Sequence, residues 1–242
     1  MSHYFKRDKV INNTLKIHKL KISTKTKVLV DISFDITTAT ALVGQSGSGK
    51  SLTIKTILDM LPNNLDKEFI YSSSIKLTKS NIGYVPQNPF TSLSPLTKIS
   101  KQFFCDKQKQ LQLLKIVDVP SDSLDKFPLQ LSGGQLQRIV IAIAISTEPK
   151  LLLLDEPTTA LDTKTKNNIL NLLTKIKKEL NLKILFITHD IMSVEDICDN
   201  IVILKDGKIC EQGDIKEILS NPKDSYTKLL LESSFKNREF QC

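Results

Sequence analysis

The sequence predicts an α/β fold with a mostly parallel sheet, and three observations carry that prediction. Short apolar runs at 40–43, 82–85, 151–154 and 184–188 alternate with helix-compatible stretches, the pattern of a parallel core covered on both faces. Upstream, Val28, Val30, Ile32, Phe34 and Ile36 alternate with polar neighbours, which reads as a strand with one buried face. Only eight glycines occur in 242 residues, and Gly44, Gly47, Gly49, Gly133 and Gly134 crowd into two short loops. Glycine is needed where backbone takes positive φ or approaches a ligand closely, so these loops are the candidate sites.

The first core strand, 40–43, feeds directly into GQSGSGKS at 44–51, and a helix-compatible run continues to 61. The loop fits G-x-x-x-x-G-K-[ST]. A strand that enters a helix through such a loop aims successive N–H groups and the positive helix end at phosphate oxygens. Gly44, Gln45, Ser46, Gly47, Ser48, Gly49, Lys50, Ser51 and Leu52 are therefore the candidate cradle. In this reading Lys50 reaches the β- and γ-phosphates, and the Ser51 hydroxyl ligates Mg²⁺. The bland alternative, a glycine-rich turn, is disfavoured by how sparingly the chain uses glycine.

The second strand, 82–85, leads to Gln87, which by itself would read as a turn residue before Asn88-Pro89. From 87 to 131 the chain is helical and irregular, punctuated by Pro89, Pro95, Pro120 and Pro128. LSGGQ at 131–135 then precedes an apolar helix expected at 136–146, so Ser132, Gly133 and Gly134 form a second helix-start anion site. The strand 150–154 ends abruptly in Asp155-Glu156. Acids at the carboxyl end of a parallel strand face the ligand crevice, which puts Asp155 at the Mg²⁺ shell and Glu156 at the water attacking a γ-phosphate. His189 follows the strand 184–188; its position alone leaves structural and functional roles open. A helix, a strand at 201–204, a hairpin at Asp206-Gly207 and two short terminal helices complete the chain.

Taken together these motifs resemble the ATPase subunits of ABC transporters. LSGGQLQR at 131–138 is similar to the family's signature motif, LLLLDEP at 151–157 to its Walker B strand and TTALD at 158–162 to its D-loop. Gln87 in YVPQNPF is similar to the Q-loop glutamine, and His189 in ITHD to the switch histidine. The resemblance implies a P-loop NTPase core of 15–87 and 148–242 carrying an N-terminal antiparallel β subdomain, with 88–147 as an inserted helical subdomain. It implies ATP and Mg²⁺ as cofactors, Glu156 as principal base, and His189 against the γ-phosphate or the attacking water. Ser51, Asp155 and Gln87 would serve the metal. It also implies a head-to-tail dimer, in which Ser132, Gly133, Gly134 and Gln135 act on the partner's nucleotide.

The chain carries one set of motifs, unlike two-cassette translation and resistance factors, and has no coiled-coil insertion of the chromosome and repair type. A transporter subunit remains. The segment NPFTSLSP at 88–95 resembles the N-P-x-x-S-L-N-P stretch of oligopeptide, dipeptide and nickel importer ATPases, and 221–230 resembles their P-Y-T-x-x-L-L terminus. That implies two permease subunits, a second, non-identical ATPase, an extracytoplasmic binding protein, and residues 90–95 receiving a permease helix. The cargo is a nickel or other metal chelate, or a peptide. Two departures stand out. No Phe, Tyr or Trp occurs from 6 to 33, where the family often stacks a ring on adenine, so base discrimination is expected to be weak, with His18 the nearest substitute. The chain also lacks the longer, cysteine-clustered end of peptide importer subunits, which leans toward the nickel type.

Composition excludes other classes. No run approaches the roughly 18 apolar residues needed to span a bilayer. The opening MSHYFKRDKV has no signal-peptide core, so the expected location is the cytoplasmic face of the membrane, peripherally held by partners. Cys105, Cys198, Cys210 and Cys242 lack metal-site spacing, and reduced thiols are expected. The net charge of +8 comes from lysines spread along the chain rather than a patch, so nucleic acid is not an expected partner. The alternative from another class is a regulatory or DNA-associated ATPase that uses nucleotide-dependent dimerisation as a switch.

Overall fold

The computed structural model describes residues 14–73, 76–159 and 161–239, the last five by backbone alone. The MSHYFKRDKV segment with His3, Ala160 of the 158–162 motif, and Cys242 lie outside the described residues. The elements in chain order are β1 (Leu15–Ser23), β2 (Val28–Ile36), β3 (Ala39–Val43), α1 (Lys50–Ile57), β4 (Asp66–Ser72), β5 (Ile82–Val85), α2 (Pro89–Ser92), α3 (Lys107–Ile116) and α4 (Gly133–Ser146). They continue as β6 (Leu151–Asp155), α5 (Thr163–Leu180), β7 (Lys183–Thr188), β8 (Asn200–Lys205), β9 (Lys208–Asp214), α6 (Ile215–Ser220) and α7 (Ser225–Glu239). Two compact units form: one from the described residues up to Leu77 and from Ile176 onward, the other from Thr78–Lys175.

The first unit holds an antiparallel sheet in the order β2-β1-β4. Val30, Ile32, Phe34 and Ile36 of β2 are buried, as their alternation predicts, while Val28 at the strand's start is 47% exposed. In β1 the buried residues are Leu15, Ile17, Leu20 and Ile22, a spacing that breaks strict alternation. A bulge between Ile17 and Leu20 absorbs the extra residue and returns the second pair to the inner face. The same unit holds β7, β3 and β8 as parallel neighbours, with Val43 opposite both Thr188 and Ile203, and β9 antiparallel on β8. All five residues of β3 are buried, consistent with a strand covered on both faces. Asp206 and Gly207 have φ of 48° and 75°, the two positive values that a tight two-residue hairpin between right-twisted strands requires.

In the second unit β5 and β6 pair in parallel, Ile82 opposite Leu151 through Val85 opposite Leu154. Helix α4 buries Leu136, Ile139, Val140, Ile141, Ala142 and Ile145, and Arg138 donates from Nη1 to the Val117 carbonyl at 2.7 Å. The helix begins at Gly133, three residues earlier than the apolar run suggests, because Ser132 and Gln135 build its start.

Helix α1 ends at Ile57 rather than continuing to 61, because Asp59 turns left-handed at φ 55° and Met60 N–H donates back to the Lys55 carbonyl at 2.7 Å. Asp118, Glu148 and Asn181 close α3, α4 and α5 in the same conformation, with φ between 50° and 55°. Glycine normally does this work, and a side chain there costs about 1 kcal/mol. These stops explain how so glycine-poor a chain ends its helices. Past His189, the expected helix is a single 3₁₀ turn, Ile191–Val194, capped by Asp190 Oδ1 accepting from Met192 N–H.

Candidate functional site

Each unit carries a group of the expected site residues. In the first, β3 delivers the chain into the 44–51 loop, and the loop delivers it into α1. Gly49 stands at φ 110°, and a Cβ there would lie 2.7 Å from Val30 Cγ2, so neither the conformation nor the space admits a side chain. Lys50 is only 6% exposed, and its ammonium donates to the carbonyls of Gly44 at 2.6 Å and Gln45 at 2.9 Å. A largely buried ammonium is costly unless well solvated. Carbonyls at the start of the loop help to meet that demand, and phosphate oxygens would bind the ammonium more strongly.

Around this ammonium, Gln45, Ser46, Gly47 and Ser51 are exposed, Leu52 is half-buried, and the first-turn N–H groups of α1 have no preceding turn to receive them. The buried Ser48 Oγ has no hydrogen-bond partner among the described residues. The loop is tied to the rest of the unit at two points. Gly207 N–H donates to the Ser48 carbonyl at 3.0 Å, and Gln45 N–H donates to the Tyr226 hydroxyl at 3.1 Å. His189 is exposed one residue past Thr188, which pairs with Val43, so histidine and phosphate loop leave the same edge of adjacent strands.

In the second unit the register of β5 and β6 does comparable work. Val85 pairs with Leu154, which sets Gln87 and Glu156 at equivalent positions two residues on. Gln87 Nε2 donates to Glu156 Oε2 at 3.4 Å, and Thr159 Oγ1 donates to the same oxygen at 2.9 Å. Glu156 itself is left-handed, with φ 46°. A non-glycine residue in this conformation stores about 1–3 kcal/mol, and such strain concentrates at functional positions. Asp155 Oδ2 accepts from the Tyr84 hydroxyl at 3.3 Å. Burial, then the Asp155 charge and this hydrogen bond, push the Tyr84 phenol up to about 12, so it stays a donor that orients the carboxylate.

Ser132, Gly133, Gly134 and Gln135 form the first turn of α4. Ser132 Oγ accepts from Gln135 N–H at 3.3 Å, while Gln135 Oε1 accepts from Ser132 N–H at 3.1 Å, a reciprocal cap. A Cβ on Gly133 would meet nothing within 4 Å. This fold therefore does not itself require glycine at that position. His18 shares a 2.7 Å hydrogen bond between Nε2 and Ser72 Oγ and lines a cavity of about 480 Å³ whose walls come from residues 17–18, 33–35, 37, 200–202 and 212–213. No phosphate-loop residue is among them.

Tyr84, Tyr226 and Gly207 carry no local pattern that ties them to the site, whereas Thr159 lies within the TTALD motif and only its bond to Glu156 is hidden in the sequence. The YVPQ stretch could have drawn attention to Tyr84 beside Gln87. The contact between Tyr226 and Gln45 spans 181 positions and leaves no local signal.

The hydroxyl, carboxylate and amide oxygens of Ser51, Asp155 and Gln87 are the hard donors that magnesium favours. With a strand–glycine loop–helix cradle, a buried lysine and paired acids ending an apolar strand, the chain is a P-loop nucleoside triphosphatase. Residues 29–159 match the family described as ABC transporter. The oligopeptide transport ATP-binding protein OppD of Lactococcus lactis is 35% identical over 85% of this chain and 69% of its own length. The metal-staphylopine import system ATP-binding protein CntD of Staphylococcus aureus is 35% identical over 85% of this chain and 86% of its own length. Among solved structures, cbiO1 of Clostridium perfringens, part of the ABC transporter complex cbiONQ, superposes with a TM-score of 0.76 at 27% identity over 87% of this chain and 92% of that one. The chain belongs to the ABC transporter family, as an ATP-binding subunit and ATPase of the oligopeptide, dipeptide and metal importer type. Among the described residues, no helix is long and apolar enough to cross a membrane.

Proposed function

We propose that this subunit energises uptake of peptides or metal chelates by binding and hydrolysing ATP at the cytoplasmic face of a membrane. The partners in this reading are a second, non-identical ATPase, two permease subunits and an extracytoplasmic binding protein. The observation that carries the reading is the surface beside Gln87. Asn88 Oδ1 accepts from Phe90 N–H at 2.9 Å and so starts the short helix α2, which leaves Phe90 46% exposed. A cavity of about 460 Å³, lined partly by Pro86, Thr91, Ser92, Leu93 and Phe104, opens beside it, and Phe104 is 79% exposed. An apolar recess next to a residue that touches Glu156 is suited to a permease helix whose movement must register at the site of hydrolysis.

The residues divide the chemistry as follows. The 44–52 backbone and Lys50 hold the phosphate chain, and Lys50 offsets its charge. Glu156 orients the attacking water from a position fixed by Gln87 and Thr159, and His189 hydrogen-bonds the γ-phosphate side. Ser51, Asp155 and Gln87 hold Mg²⁺, which when bound supplies charge neutralisation at the phosphate oxygens. The first turn of α4 offers Gly133 and Gly134 to the nucleotide of the second ATPase subunit. Chemistry of this kind rests on positioning and preorganised charge rather than covalent steps.

The test is uptake in the source cell with this gene deleted and then restored. Loss and recovery of labelled dipeptide, oligopeptide or nickel-chelate accumulation identifies the cargo class. Unchanged uptake of all three would reject the import reading. A reconstituted complex should also hydrolyse ATP faster when its loaded binding protein is added.

A further inference from the structure

We infer that Tyr226, in the first turn of α7, is a positioning residue for the phosphate loop, fixing the Gly44–Gln45 peptide that anchors Lys50. The inference rests on the nucleotide reading of that loop and assigns it a strut from the far end of the chain.

The Gly44–Gln45 peptide is held at both ends. Its N–H, on Gln45, donates to the Tyr226 hydroxyl at 3.1 Å, and its carbonyl, on Gly44, accepts from Lys50 Nζ at 2.6 Å; the next carbonyl, on Gln45, accepts from the same ammonium at 2.9 Å. One rigid peptide plane therefore joins a phenol to the ammonium expected to meet the phosphates. Rotation of that plane would move the ammonium's acceptor. Among the described residues, the phenol is the acceptor for the Gln45 N–H.

Tyr226 is held in turn. It is 6% exposed, and Lys205 Nζ lies 5.0 Å from its ring centroid, a cation–π contact that fixes the ring from one side. Its N–H donates to Asp224 Oδ1 at 2.8 Å. The preceding turn is clamped by Glu211 of β9, whose carboxylate accepts from Lys223 N–H at 3.0 Å and Asp224 N–H at 3.2 Å. A continuous chain of hydrogen bonds thus runs from β9 through residues 223–226 to the loop. Packing alone would be served by phenylalanine, and the hydroxyl is the part that reaches the loop.

The experiment uses the full chain, titrated calorimetrically with MgADP and separately with magnesium tripolyphosphate, which lacks a base and sugar. Tyr226→Phe keeps the ring and the Lys205 contact and removes one acceptor. Freeing this half-buried N–H lets the peptide turn away from its bound orientation, which is expected to weaken binding about tenfold. The same loss is expected for both ligands, because the change lies at the phosphate loop, and the ligand-free melting temperature should move little. Wild-type affinity in Tyr226→Phe, or a loss for MgADP but not for tripolyphosphate, would overturn the inference. Glu211→Gln loosens the strut without touching Tyr226 and is expected to weaken both ligands two- to threefold, or roughly that. If Tyr226→Phe melts well below wild type, unchanged affinity in Glu211→Gln overturns the proposal. Wild-type protein that binds neither ligand would instead overturn the nucleotide reading itself.

Discussion

Replacing Gly207 with alanine tests how rigidly the phosphate loop is held. Gly207 turns the β8–β9 hairpin at φ 75°, and a Cβ there would lie 2.0 Å from the Leu29 carbonyl oxygen, 2.8 Å from its carbon and 3.0 Å from Val30 Cα. All three are backbone atoms, so no side-chain rotation relieves the clash. The left-handed conformation alone costs an alanine about 1–2 kcal/mol. Moving the turn aside would also break the bonds from Gly207 N–H to the Ser48 carbonyl at 3.0 Å and from Asp31 N–H to the Gly207 carbonyl at 2.8 Å. At about 1 kcal/mol each, the total is roughly 3–4 kcal/mol, or on the order of 10 °C in melting temperature for a chain of this size. Thermal unfolding followed by circular dichroism measures it, with Gly133→Ala as control, since nothing lies within 4 Å of that Cβ. Nucleotide affinity should fall with stability, because the broken bond belongs to the loop. A Gly207→Ala protein that melts within about 2 °C of wild type and binds nucleotide normally would refute the reasoning.

The remaining predictions concern chemistry. Glu156→Gln should retain ATP binding while slowing hydrolysis about a hundredfold or more, measured as phosphate release; wild-type turnover would remove Glu156 from its assigned role. Lys50→Ala should weaken ATP binding itself by roughly 10- to 100-fold in equilibrium titration, since charge-assisted bonds to phosphate are lost. Gly133→Ala should fold normally yet lower turnover of the assembled transporter by about tenfold, through misplacement at the neighbouring nucleotide; full activity would show that the open space there is unused. ATP and GTP should be hydrolysed with specificity constants within about threefold, because the expected stacking ring is missing; a strong ATP preference would show that another group reads the base.

Much of this was legible in the sequence, for definite reasons. The strands 40–43, 151–154 and 184–188 are apolar throughout because both faces are covered, and the loop at 44–51 reads clearly because its glycines are few. Other features left no local trace. Strand β1 hides behind a bulge at Ile17–Leu20, and β4 has no buried residue to announce it. Helix α1 stops early because Asp59 takes a conformation that sequence habit assigns to glycine. The glycines at 133 and 134 belong to a helix rather than to a loop before it, because the Ser132–Gln135 cap lies upstream of the apolar run. Tyr84 on Asp155, Thr159 on Glu156 and Tyr226 on Gln45 are matters of register and long-range return, which periodicity does not encode.

Gln87 and Asn88 are consecutive, yet they face different tasks: the first grips a strained carboxylate, and the second founds the turn that displays Phe90. Their α-carbons are about 3.8 Å apart across one inflexible bond. On the transporter reading, a push on the aromatic turn would have only a short path to the acid. Lengthening that junction by a single inserted residue would leave both halves intact while severing the conversation between them.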